Sequence, residues 1–176
     1  NYNTPAAGDV EQVRSVTSVR VHPGYVWSLR ASPDDVAVLT LGVPLDLSGP
    51  TAQASPLPTP GAAFPAGAAV MLAGFGRETP FGTPNGTLNL FNGIVDPQAD
   101  CGGFANDVVA ADNAIALCAS SASSAICSGD SGAGLVTADQ AHTVIAVARA
   151  APTSCAPTTH GIYVAVGDRK STRLNS

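Results

Sequence analysis

Lysine is nearly absent from this chain. Lys170 is the only one, and Lys and Arg together number 8 against 13 Asp and Glu. With a formal net charge of −5 and no basic cluster, the sequence offers nothing to a nucleic-acid backbone, whose phosphates demand concentrated positive charge. Charge of either sign is sparse at 12%, and aromatics make up 5%. Yet 45% of the 176 residues are hydrophobic, which is not the composition of a disordered segment. There is material for one ordinary domain, or for two small barrels sharing a core. No apolar run approaches the roughly 18 residues of a membrane helix, so no membrane partner is expected. The opening NYNTPAAGD also lacks the charged-then-apolar pattern of a signal peptide. Histidine is scarce as well, with only His22, His142 and His160.

What the sequence does contain is short apolar runs divided by Gly, Pro, Asn and Asp turns, with no long stretch at the helical period. The candidate strands are Val13–Val21, Val36–Leu41, Ala69–Phe75, Leu88–Val95, Ala114–Cys118, Gly134–Val136, Thr143–Arg149 and Ile162–Val166. VAVLTL and TVIAVA are near-continuous apolar runs, as expected of strands buried on both faces. The stretch SGPTAQASPLPTPGAAFPAG (48–67) reads as an extended connector between two halves. An all-β chain follows, with two units at 1–47 and 68–167. Four cysteines in so charge-poor a chain point to two disulfides and an oxidising compartment.

Residues 127–136 read CSGDSGAGLV. Gly129-Asp130-Ser131-Gly132 can be a tight turn in which glycine supplies positive φ and Asp or Ser bonds nearby backbone. It can equally hold a serine nucleophile at a sharp bend, with successive N–H groups exposed to a developing oxyanion. The surroundings favour the second reading.

In this stretch and around it the chain resembles the trypsin/chymotrypsin-like serine endopeptidase family, from about Val13 to Val166. HPGY (22–25), DDVAVLTL (34–41), AGFGRET (73–79, with Phe75 in place of the family's Trp), CSGDSGAGLV and HGIYVAV (160–166) fall in the family's order. Cys118 lies nine residues before Cys127, as in the family. The resemblance implies a chymotrypsin-like double six-stranded β-barrel, with the first barrel incomplete. It implies disulfides Cys101–Cys118 and Cys127–Cys155, each contributing about 3 kcal/mol. Ser131 becomes the nucleophile, and the N–H groups of Gly129 and Ser131 the oxyanion hole. Asp35, with Asp34 as the alternative by sequence, becomes the acid that orients the catalytic His. Asp130 matches the acid that pairs with a new N-terminus after zymogen cleavage, and unpaired it would be a buried, destabilising charge. Ala125 falls at the specificity-pocket floor, while Ala151 and Gly161 fall on its walls. Without a carboxylate at Ala125, the residue before the scissile bond (P1) is expected to be apolar and of small to medium size. The family also implies a secreted monomer without a cofactor, acting on polypeptides and met by protein inhibitors.

The general base is missing. In the family's order it precedes the Asp, and only His22 does so, within a surface-turn element. The first barrel's remaining strands and the base are therefore expected upstream of Asn1, and this chain is expected to be a fragment that hydrolyses peptides poorly. Asp168–Ser176 (DRKSTRLNS) resembles the read-through translation of a common sequencing adapter and is expected to be non-native. Arg149-Ala150-Ala151 replaces the family's Ser-Trp-Gly, so Arg149 either pairs with Asp35 or faces solvent, and Ala133 replaces the motif's last Gly. A rival elbow of the α/β-hydrolase type, with Asp139 and His142 or His160, fails on chain length and on the missing βαβ pattern. The remaining alternative is a non-catalytic protease-like binding module. Asn85-Gly86-Thr87 is a sequon but reads as a turn, and no Cys/His spacing suits a metal.

Overall fold

The computed structural model describes residues 12–27, 34–49, 52–103 and 116–167. It holds eight strands: β1 (Val16–Val21), β2 (Ala37–Leu41), β3 (Ala69–Gly74), β4 (Asn89–Val95), β5 (Ala116–Ser120), β6 (Gly134–Thr137), β7 (Val144–Ala150) and β8 (Gly161–Ala165). A 3-10 turn spans Gln98–Gly103. β1 begins three residues after its expected start at Val13, the other strands lie within one or two residues of their expected bounds, and Ala114 lies outside the described residues.

Strands β3 to β8 close into an antiparallel barrel in the order β3-β4-β5-β8-β7-β6. Period-two alternation fills it: Val70 and Leu72 on β3, Phe91 and Val95 on β4, Leu135 on β6 and Ile145 on β7 are all under 5% exposed. Tyr163 on β8 is fully buried among them, and Ala119, Ala146 and Ala165 leave it room. Closure leaves this sheet no edge to protect. The described part of the connector is fastened to the barrel, because Val144 N–H bonds Pro56 O at 2.9 Å and Phe64 packs against the core.

Strands β1 and β2 form a separate two-stranded antiparallel ribbon, pairing Val19 with Leu39 and Val21 with Ala37. Here VAVLTL departs from expectation. Leu39 is 56% exposed and Val19 60%, because no second layer covers either face of this ribbon among the described residues. The run is apolar enough for a barrel strand, but in this structure it lacks the neighbours that would bury it.

Two irregularities place the site. The β7–β8 register shifts between Ala148 and Ala150, so Arg149 sits at a bulge, a feature that re-aims a side chain. The loop from β5 to β6 carries residues 121–133 and is tied back by the Cys127–Cys155 disulfide, Cα–Cα 5.1 Å. The second disulfide, Cys101–Cys118, joins the 3-10 turn to β5 at 5.7 Å.

Candidate active site

Ser131 stands exposed at the tip of a tight turn. Gly129 and Gly132 flank it at φ 103° and 89°, values that favour glycine, so the two glycines of the motif make the bend possible. Asp130 N–H donates to Cys127 O at 3.1 Å and Gly132 N–H to Ala148 O at 2.8 Å. Among the described residues no main-chain acceptor takes the N–H of Gly129 or Ser131. Two main-chain donors beside the serine hydroxyl are thus without a main-chain acceptor.

Asp130 is turned the other way, into the protein, and is 8% exposed. Its Oδ1 accepts Gly76 N–H at 2.8 Å and its Oδ2 accepts Cys127 N–H at 2.9 Å. The carboxylate is therefore satisfied by main chain. This answers the sequence-based worry that it would be unpaired without an ammonium partner. It also explains the glycines of AGFGRET, since a Cβ at Gly74 or Gly76 would overlap the Asp130 carboxyl group.

A cleft of about 570 Å³ opens beside the serine and is lined by Tyr25, Asp35, Ser131, Gly132, Ala148 and Arg149 among others. The fold therefore brings Asp35 of the ribbon and Ser131 of the barrel to one site, although they lie far apart in sequence. Asp35 is 46% exposed here, whereas an orienting acid was expected to be buried. Arg149 reaches it: Nε lies 3.8 Å from Asp35 Oδ2, an ion-pair distance too long for a hydrogen bond. Of the two fates open to Arg149, the structure adopts the pair, with its own side chain only 7% exposed. Burial pushes the guanidinium below its usual range, opposed by the Asp35 and Tyr25 charges, yet an arginine stays charged in a protein.

None of the three histidines lines this cleft. His22 is buried, its Nδ1 accepting Gly24 N–H at 3.2 Å and lying 3.3 Å from Asp34 Oδ1. Asp34 is thus engaged in the HPGY turn, while Asp35 faces the cleft. His142 belongs to the turn between β6 and β7, where its N–H bonds Asp139 Oδ1. His160 sits 2.7 Å from the buried Asp96 carboxylate, whose other oxygen accepts the Ser120 hydroxyl at 2.6 Å. Cys118 lies near this pair, but its sulfur is bonded to Cys101, so no thiolate is available to a metal.

Ala125, Ala151 and Gly161 have different immediate surroundings. Ala125 lines a cleft of about 240 Å³ together with Asp130, Gly74 and Gly76. Ala151 is partly buried against the barrel core. Gly161 is buried at the start of β8, and beside it lies Ile126, 3% exposed. Ala150 ends β7 half-buried. Sequence reasoning missed Ile126, Gly74, Gly76 and Asp96. The glycine spacing in AGFG was a visible signal for a close approach, whereas nothing local announced that Ile126 would meet Gly161.

A family model described as Trypsin matches residues 2–171. Among solved structures the chain is similar to HBP, with a TM-score of 0.71 over 89% of this chain and 63% of that one, at 22% identity. Neuropsin, a serine protease expressed in the limbic system of mouse brain, gives a TM-score of 0.77 over 92% of this chain and 70% of its own, again at 22% identity. A mutant of human heparin binding protein gives 0.72, over 89% and 64%, at 22%. The chain thus spans 63% to 70% of the length of these structures, and the likeness at that identity is one of fold. No curated protein matches it.

Proposed function

Since the chain belongs to the trypsin family, we propose that it is the larger part of a secreted serine endopeptidase that forms its acyl-enzyme on Ser131. The observation that carries this reading is the meeting of Asp35 and Ser131 on one cleft. Substrate enters as an extended polypeptide beside Arg149-Ala150-Ala151, adding a strand at the end of β7. The hydroxyl of Ser131 attacks the scissile carbonyl, and the oxyanion gathers the N–H groups of Gly129 and Ser131, which the fold leaves without main-chain acceptors. Asp35 orients the base. Because no histidine of this chain lines the cleft, the base comes from polypeptide outside these 176 residues. By themselves they hydrolyse peptides poorly, since an unactivated serine is a weak nucleophile. P1 is apolar and small to medium, on the walls formed around Ala151 and Gly161 with Ala125 behind them. The enzyme works as a monomer without a cofactor, and protein inhibitors of the family would compete for the same surface. Residues 1–47 belong to the first barrel, 48–67 connect the halves, and 68–167 belong to the second barrel. Asp130 would still meet an activated N-terminus, although its main-chain donors already hold it.

A second reading, a protease-like module that binds a partner without cleaving it, draws on one observation. Arg149 occupies the approach to Asp35 that a catalytic imidazole needs. Heparin, named for two of the structural neighbours, does not carry over to a chain of formal charge −5. Labelling of the intact, processed protein with a fluorophosphonate separates the two readings. The endopeptidase reading expects a single adduct on Ser131 that Ser131→Ala abolishes, and an unlabelled intact protein would overturn it in favour of the binding module.

A further inference from the structure

Ile126 lies against Gly161, a residue that the endopeptidase reading places on a wall of the P1 pocket. A Cβ placed on Gly161 would lie 2.7 Å from Ile126 Cδ1, 2.9 Å from Ile126 Cγ1 and 2.9 Å from the Tyr163 hydroxyl. Real Cβ contacts do not come that close, so the α-carbon of Gly161 is packed directly between these two side chains. Ile126 is 3% exposed and belongs to the barrel core, where it cannot swing aside without opening a void. Tyr163 is fully buried, so its ring backs the same position from the core side. On the opposite wall, the methyl of Ala151 packs against the same core cluster. Ala125, one residue earlier, lines the Asp130 cleft, and Ile126 borders that cleft too.

We propose that Ile126 plugs the specificity pocket and restricts P1 to alanine or glycine. This rests on the endopeptidase reading and narrows it, because the small-to-medium range allowed by Ala125, Ala151 and Gly161 shrinks to its lower end. The physical cause is steric. A larger P1 side chain must displace a buried isoleucine from close packing, and each excluded methylene weighs on the rate about tenfold or more.

The test uses peptide p-nitroanilides differing only at P1, with the intact enzyme and its Ile126→Ala and Ile126→Val variants. The expected result is kcat/KM at least about tenfold higher for P1 Ala than for P1 Leu or Phe in the parent enzyme. Ile126→Val should raise the rate with P1 Val relative to Ala, and Ile126→Ala should move the optimum to Leu or Phe. A parent enzyme that cleaves after Leu or Phe as fast as after Ala overturns the plug and leaves the endopeptidase reading intact. No hydrolysis of any member would count against the endopeptidase reading, and the plug is then judged by binding. Indole should raise the Tm of the Ile126→Ala chain and leave the parent unchanged. A rise in the parent chain, or none in the variant, overturns the plug. Should Ile126→Ala fail to fold, an unaltered P1 profile in Ile126→Val is the overturning result.

Discussion

Asp130 Oδ1 accepts the N–H of Gly76 at 2.8 Å, and Gly76 has no side chain because a Cβ there would lie 2.5 Å from that same carboxyl group. The two residues lie far apart in sequence, one just after β3 and one beside Ser131. Their contact fixes the turn that presents Ser131, and Arg77 N–H reinforces it by bonding Ser128 O at 2.9 Å.

That contact predicts two losses of stability. Asp130→Asn sets an amide donor against one of two buried N–H groups, and should cost about 2 kcal/mol in urea unfolding. Gly76→Ala should cost at least as much by steric overlap with the carboxyl group, whereas Gly132→Ala, where no atom lies within reach of the new Cβ, should be limited to backbone strain. Equal costs for both glycine variants would contradict the packing explanation.

Arg149 should act on chemistry more than on stability. Its partner Asp35 is nearly half exposed, so water screens the pair, and Arg149→Ser should change unfolding free energy by about 1 kcal/mol or less through that contact. On the endopeptidase reading, in which Asp35 orients the base, a guanidinium beside that carboxylate weakens its hold on an imidazolium. Removing it should raise the pKa of the base, moving the acid limb of the kcat/KM profile to higher pH by about one unit. A fall in rate with an unmoved acid limb would assign Arg149 to cleft shape alone.

The turn joining β6 to β7 should respond to acid. The Thr137 hydroxyl, against an opposing effect of desolvation and with help from the N–H groups of Ala141 and His142, holds the Asp139 carboxyl below the usual range. A lowered carboxyl pKa stabilises the fold above the unfolded value of about 3.9, and that stabilisation disappears as pH falls through the lowered folded value. Amide exchange at Ala141 and His142 should therefore stay protected from neutral pH to about 4 and accelerate below it. Asp139→Asn should abolish the acid dependence, and an unchanged one would place its origin elsewhere.

Much of this architecture was written in local sequence. Strand positions followed from alternation and turn residues, because a strand's side chains point to opposite faces whatever lies beyond them. The turn at Ser131 followed from two glycines, and the cysteine spacing led, through the family resemblance, to the two disulfides that form. Burial did not follow in the same way. VAVLTL is apolar in any setting, but whether Leu39 is covered depends on a second layer that its own residues do not specify.

The sequence by itself determined an all-β chain with a serine on a glycine-framed bend, since backbone preference and hydrophobic period are properties of neighbouring residues. Only the tertiary structure decided that Asp35 and Ser131 share a cleft, that Arg149 pairs with Asp35, that main chain satisfies Asp130, and that Ile126 abuts Gly161. These contacts join residues distant along the chain, and they exist because closing the barrel and docking its loops bring the surfaces within a few ångströms. Spacing along a chain carries no measure of that distance.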